Sequence, residues 1–208
     1  MNLVIFGSSG EVGRILVQLC LDNGHNVTAV THRSNPFEHH SNLTVMNGDI
    51  HGYEDVKAAV QGNQVVLSTL GSWGTKSKDI VASGTANIIK AMAAQQIRRV
   101  ITLTGEGALL PGQKLSPLKS LVRAGISLTH GKILHDGERH IELLLGSGLD
   151  WTVIRSQIMT SGDSKDYRLA NNVSTLPSLV SRRAVAQSMY DQITRTDYIQ
   201  QAPIVSAK

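Results

Sequence analysis

Short apolar runs alternate along this chain with longer segments whose apolar residues recur every three or four positions. The short runs have the lengths and residue types of buried strands, and the longer segments have helical spacing. Strands are predicted at residues 3–6, 26–31, 43–46, 64–70, 99–103 and 150–155. After Gly13, the positions of Ile15, Leu16, Leu19 and Cys20 predict a helix, ended by Asn23 and Gly24. Further helices are predicted at 53–60, 80–95, 131–146 and 182–193. In the second of these, Val81, Thr85, Ile88, Ile89 and Met92 form the buried stripe, and the last follows Ser181 as N-cap. Residues 109–129 hold Pro111, Gly112, Pro117 and Gly125 and read as a loop with a short helix, a candidate mobile cover. Residues 162–172 read as an exposed turn with a short strand at 167–170, and the tail at 198–205 as a late strand. Strands alternating with helices predict an α/β, doubly wound parallel sheet with helices on both faces, in one domain spanning 1–208.

The first strand, the turn after it and the first helix carry the most specific chemistry. The turn reads Gly7-Ser8-Ser9-Gly10-Glu11-Val12-Gly13. Gly7 lets the chain reverse off the strand, Gly10 lets backbone approach a pyrophosphate, and Gly13 lets the helix pack on the strand. Free N–H groups and the helix dipole favour an anion at that helix start, and Ser8 and Ser9 are candidate phosphate donors. This context predicts a Rossmann fold with a dinucleotide site.

The ends of the later strands supply the remaining candidates. Where a fold preferring NAD places an acid on the ribose 2′-hydroxyl, this chain has His32 and Arg33. A guanidinium suits a 2′-phosphate, so NADP(H) is expected in preference to NAD(H). Asp49, in Gly48-Asp49-Ile50, either faces the adenine amino group or caps the following helix. Leu70-Gly71-Ser72 brings backbone close to a ligand at a strand's carboxyl end. The next residue, Trp73, either covers the nicotinamide end of a pocket or packs on the surface. Thr104-Gly105-Glu106-Gly107-Ala108 lies where active sites sit in open parallel sheets, and Ser156-Gln157 leaves the sixth strand.

Composition narrows the classes of function. The 208 residues carry a formal charge of +4, with a pI near 9.3. The basic residues are scattered, with short pairs at Arg98-Arg99 and Arg182-Arg183 and no interleaved aromatics, so nucleic acid is not the expected ligand. An anionic cofactor or substrate accounts for the mild basic excess. No run of eighteen apolar residues is present, so no membrane span is expected. A strand starting at position 2 leaves no room for a signal peptide, and the default location is cytoplasmic. The single Cys20 is expected as a buried core thiol. No metal site is expected: His135 and His140 are five apart rather than four, and His39-His40 lies in a loop.

Several segments together resemble a known family. They are the glycine turn, Gly48-Asp49, Leu70-Gly71, Thr104 to Ala108, Ser147-Gly148-Leu149-Asp150-Trp151-Thr152-Val153-Ile154-Arg155, and Tyr167-Arg168. They look like the atypical short-chain dehydrogenase/reductases, in the NAD(P)-binding NmrA-like group that includes flavin and biliverdin-IXβ reductases. The resemblance covers almost the whole chain and implies NADP(H), with the nicotinamide near Leu70-Gly71, Thr104 and the segment after Arg155. The departures concern acid–base chemistry. Active short-chain dehydrogenases use a Ser, and a Tyr with a Lys four residues later. Aligned back from Ser147-Gly148-Leu149, the Tyr position holds Ile133, the Lys position Gly137 and the Ser position Gly105. None of Tyr53, Tyr167, Tyr190 and Tyr198 has Lys four residues on, and Ser156 replaces the family's Pro. Hydride transfer to a flavin, quinone or similar conjugated acceptor can proceed with a solvent proton. The first expectation is therefore an NADP(H)-dependent reductase of such a small-molecule acceptor, with Thr104 and Asp136 as candidate catalytic residues. Asp136 would hold a pocket water or relay a proton, with His135 and His140 as alternatives. The second is a non-catalytic NADP(H)-binding redox sensor with a protein partner. An epimerase or dehydratase is disfavoured by the missing Tyr–Lys pair and the absence of a larger C-terminal substrate domain.

Overall fold

The computed structural model describes residues 1–32, 34–73, 75, 77–171 and 179–208. Its first strand, β1 (Asn2–Phe6), is buried on both faces, which is why it reads as a continuous apolar run. Successive side chains of a strand point to opposite faces. Leu3 and Ile5 accordingly pack with Leu16 and Cys20 of α1 (Glu11–Asp22) and with Val185 and Met189 of α5 (Arg182–Asp191). Val4 and Phe6 pack on the other face. Their partners there include Val56 of α2 (Tyr53–Val60), Ile88 and Met92 of α3 (Ile80–Ala94), and Ile141 and Leu144 of α4 (Pro117–Leu145).

Among the described residues the main sheet has eight strands. β2 (Asn26–Thr31) and β3 (Leu43–Asn47) extend it on one side of β1. β4 (Val65–Ser68), β5 (Arg99–Gly105) and β6 (Asp150–Ser156) extend it on the other. All these pairs are parallel. β10 (Ile204–Ala207) runs parallel to β6, and β8 (Tyr167–Ala170) closes the edge antiparallel to β10, so the sheet is mostly rather than wholly parallel. The strand order reverses between β1 and β4, because the chain crosses from one edge of β1 to the other after β3. The crevice at such a reversal is where this architecture binds ligands.

Three elements differ from expectation. The stretch at 109–129 is mostly helix: Pro117 begins α4, Ser116 caps it by accepting from the Lys119 N–H, and the helix bends at His130 (φ −128°, ψ 23°). Proline is compatible with a first helical turn, so Pro117 starts the helix instead of breaking it. Leu118, Leu121, Val122, Ile126 and Leu128 are exposed on this half, so no buried stripe announces it. A small parallel sheet, β7 (Ile158–Thr160) with β9 (Leu179–Ser181), is too short to signal itself. The late strand begins at Ile204, nearer the end of the chain than 198. As expected, Ser181 caps α5, accepting from the Ala184 N–H at 2.9 Å, and Cys20 is fully buried, its thiol pushed up to about 12 by burial. Among the described residues no helix is long and apolar enough to cross a membrane.

Candidate functional site at the strand crossover

The glycine turn sits at the carboxyl end of β1. Gly7 adopts φ +73°, and a Cβ there would stand 2.9 Å from the Thr69 carbonyl carbon of the neighbouring strand end. A Cβ on Gly13 would stand 2.3 Å from the Gly7 carbonyl oxygen, so only glycine lets α1 lie this close to the turn. Gly10 is the N-cap of α1, with extended backbone (φ −69°, ψ 166°) and no side chain capping the helix. The first N–H groups of a helix have no intrahelical acceptor. With Ser9, Gly10 and Glu11 exposed, this end of α1 is suited to an anion, and the residues present fit a dinucleotide pyrophosphate.

Two side chains of the turn are engaged elsewhere. The Ser8 hydroxyl is buried and donates to the Val30 carbonyl of β2 at 2.7 Å, so it ties turn to sheet and is not the phosphate donor expected. Glu11 pairs with Arg182 at the start of α5 (2.8 Å), while Val12 is buried against the core. His32 is exposed just beyond β2, and the expected 2′-phosphate ligand Arg33 lies outside the described residues.

Asp49 is exposed; its carboxylate accepts from the His51 N–H (2.9 Å) and its own N–H donates to Asp55 (2.8 Å). It does not cap α2, whose N-cap is Gly52, three residues later. Ile50 is buried, and a Cβ on Gly84 of α3 would meet Ile50 Cγ1 at 2.6 Å and Leu70 Cδ1 at 2.9 Å. Gly84 therefore lets α3 draw the ends of β3 and β4 together, a role hidden inside an ordinary helical pattern.

Asp136 is buried on α4 with both carboxylate oxygens occupied. One accepts from the Ala82 N–H (2.8 Å), the other from the Val81 N–H (3.1 Å) and the Ser72 hydroxyl. It thus caps α3 from a neighbouring helix and anchors the loop after β4. The carboxylate is therefore engaged in holding α3 and the loop, where the expectation was that it would hold a pocket water or relay a proton. His140 is also buried, with Nε2 at 2.8 Å from the Thr102 hydroxyl, and burial pushes its pKa down to about 3. His135 is exposed on α4. Thr104, one residue before the end of β5, is half-buried, with Gly137 directly against it: a Cβ at Gly137 would stand 2.7 Å from Thr104 Oγ1. Gly71 is exposed, a Cβ on it would meet no described atom within 4 Å, and Ser72 is held by Asp136.

The segment over the carboxyl ends of β5 and β6 is pinned. Lys119 pairs with Glu106 (3.2 Å), and Arg123 pairs with Glu138 (2.6 Å) and donates to the Gly107 carbonyl. Arg155 is buried and donates to the Ala202 carbonyl and the Gln113 side chain, each at 2.8 Å; burial lowers its pKa to about 10. Nothing in the sequence signals this anchoring role, since an arginine near a strand's end ordinarily reaches solvent. Ser156 is buried and its carbonyl accepts from the Glu106 N–H (2.8 Å); Gln157 is buried beside it.

A family model described as NAD(P)H-binding matches residues 7–196, and the chain belongs to that family. Among curated relatives, a 3-beta-hydroxysteroid dehydrogenase of Mycolicibacterium neoaurum is 26% identical over 126 residues, covering 55% of this chain and 34% of that protein. An uncharacterized protein of Mycobacterium tuberculosis is 32% identical over 102 residues, covering 49% of this chain and 12% of its own length. The matches thus span about a third of the first relative and about an eighth of the second. Among solved structures, an oxidoreductase of Lactococcus lactis superposes with a TM-score of 0.84 at 18% identity, covering 100% of this chain and 91% of that one. A short-chain dehydrogenases/reductase of Veillonella parvula in complex with NADP gives 0.80 at 19% identity, covering 99% and 94%. A Streptococcus pneumoniae protein assigned as an NADH-flavin reductase gives 0.78 at 18% identity, covering 100% of both chains. At these identities the likeness establishes the shared fold.

Proposed function

We propose that the protein is an NADP(H)-dependent reductase that passes a hydride to a flavin, quinone-like or similar conjugated acceptor and takes the accompanying proton from solvent. When bound, the nicotinamide would supply that hydride. The chain's own residues bind and orient: the glycine turn with the start of α1 holds the pyrophosphate, and Leu70, Gly71 and Thr104 flank the crevice beside β4 and β5. Family membership supports the cofactor class, and the Veillonella neighbour holds NADP.

The observation that carries the acceptor class is the state of the acid–base groups beside Thr104. Asp136 already accepts from three donors, and His140 is buried, which pushes its pKa down to about 3. Gly137 has no room for a side chain. A carbonyl substrate needs a proton donor in its transition state, whereas a flavin or quinone does not need one from the protein. The same observation also favours a second reading, a redox sensor that binds NADP(H) without turning it over. A steady-state panel of FMN, FAD and quinones at saturating NADPH separates the two. Acceptor-dependent NADPH oxidation supports the reductase; tight NADPH binding with no oxidation above background rejects it and favours the sensor. Replacing Arg33 tests the cofactor preference: Arg33→Ala should weaken NADPH far more than NADH, and equal loss for both would remove Arg33 from the 2′-phosphate.

A further inference from the structure

A groove of about 620 Å³ opens between the loop after β4 and the bend in α4, within the size range of small-molecule sites. Its lining includes Trp73, Lys78, Leu128, His130, Lys132 and Ile133. Trp73 is 65% exposed, and its ring lies 4.6 Å from the His130 ring, tilted by 33°. A large exposed indole beside a half-buried imidazole and two aliphatic side chains is a surface for a planar conjugated ring.

The charge in the groove has one sign. Lys78 Nζ donates to the carbonyls of Ser72 (3.2 Å) and Thr75 (2.6 Å), which occupies two of its three ammonium hydrogens and neutralises none of its charge. Among the described residues no carboxylate pairs with Lys78 or Lys132. Of the acids in the flanking elements, Glu106 is paired with Lys119 and Glu138 with Arg123, while Asp79 and Asp136 accept from uncharged donors and are not among the residues lining the groove. The groove also adjoins the crevice. Trp73 follows Ser72, which is bonded to Asp136, and Ile133 lies one helical turn before Gly137, which packs on Thr104.

We propose that this groove binds the ring of the electron acceptor, and that the acceptor carries an anionic group, a phosphate, carboxylate or sulfonate, held by Lys78 and Lys132. The acceptor role rests on the reductase reading, but the binding preference does not require turnover. Two sources share this chemistry, a flavin phosphate and an acidic quinone.

The test is calorimetric titration of the full chain loaded with NADP⁺, which cannot donate a hydride, with two matched pairs. FMN is compared with riboflavin, and anthraquinone-2-sulfonate with 2-(hydroxymethyl)anthraquinone. The anionic member of at least one pair should bind about tenfold more tightly, and which pair shows it identifies the source. The gap should shrink in about 1 M salt, where screening acts within about 3 Å. Lys132→Glu should abolish the gap while leaving the affinity for the neutral member unchanged, which also reports a folded protein. Lys78→Ala should narrow the gap, and Trp73→Ala should weaken both members of the preferred pair. Equal binding within both pairs, no binding of any of the four, or a gap that persists in Lys132→Glu would each overturn the proposal. Turnover separates it from the broader reading: selective FMN binding without NADPH oxidation would sink the reductase and keep the groove, while reduction of FMN and riboflavin alike, with equal binding within both pairs, would do the reverse.

Discussion

Gly137 of α4 lies directly against Thr104 near the end of β5: a Cβ on Gly137 would stand 2.7 Å from Thr104 Oγ1 and 2.8 Å from the Ala108 Cβ. This contact sets the distance between α4 and the sheet at the place where the resemblance reserves a lysine. Gly137→Ala should therefore cost about 1–3 kcal/mol, read as a fall in melting temperature. Gly105→Ala, in open space at the same strand end, should be close to neutral. Equal melting temperatures for the two variants would contradict the close packing.

The second and third glycines of the turn should separate folding from binding. Gly13→Ala drives a methyl to 2.3 Å from the Gly7 carbonyl and should destabilise the fold by about 3 kcal/mol or more. Gly10→Ala meets the same oxygen at only 3.3 Å, in backbone that alanine adopts readily, so it should melt within about 1 kcal/mol of the parent. Its NADPH affinity should nonetheless fall at least about tenfold, because the methyl occupies the approach to the helix N–H groups. Undiminished NADPH binding by Gly10→Ala would move the pyrophosphate away from this turn.

Asp136 joins α4, the start of α3 and the loop bearing Trp73 and Lys78. Asp136→Ala leaves two buried N–H groups and the Ser72 hydroxyl without their acceptor and should cost about 3 kcal/mol. Asp136→Asn keeps one acceptor oxygen and should cost less. If the residue positions the loop and does not move protons, acceptor KM should rise in both variants while the pH profile of kcat keeps its shape. A lost or shifted limb in that profile would restore the proton-relay role.

The sheet was legible in the sequence because buried parallel strands must be short apolar runs, and the glycine turn because its three positions obey separate steric demands. Gly7 and Gly13 meet those demands in the structure, by positive φ and by contact with backbone. The first half of α4 was not legible: its apolar residues face outward, and Pro117 and Gly125 read as breakers. The fates of Ser8, Asp136 and Arg155 were hidden for a different reason. Their partners, Val30, the Val81 and Ala82 N–H groups, and Ala202 with Gln113, are brought close only by the fold. No periodicity reports a hydrogen bond across such a separation.

His140 gives the protein a pH dependence of defined sign. Its folded pKa is held near 3 by burial, while an unfolded histidine titrates near 6.5. Between those values the unfolded chain binds more protons at this site, so stability is fully present above about pH 6.5 and is lost as pH falls toward 3. His140→Gln should lower the melting temperature at pH 7.5 but flatten its decline between pH 6.5 and 4 relative to the parent. Parallel curves for the two proteins would show that His140 is not held neutral.

The most direct test of hydride transfer is an anaerobic single turnover. The protein is loaded with one equivalent of NADPH and mixed rapidly with excess FMN or quinone while absorbance at 340 nm is followed. Reductase function predicts rapid loss of the bound NADPH signal, with one acceptor reduced by two electrons for each NADPH consumed. A flat 340 nm trace with every acceptor, despite saturated NADPH binding, would contradict it.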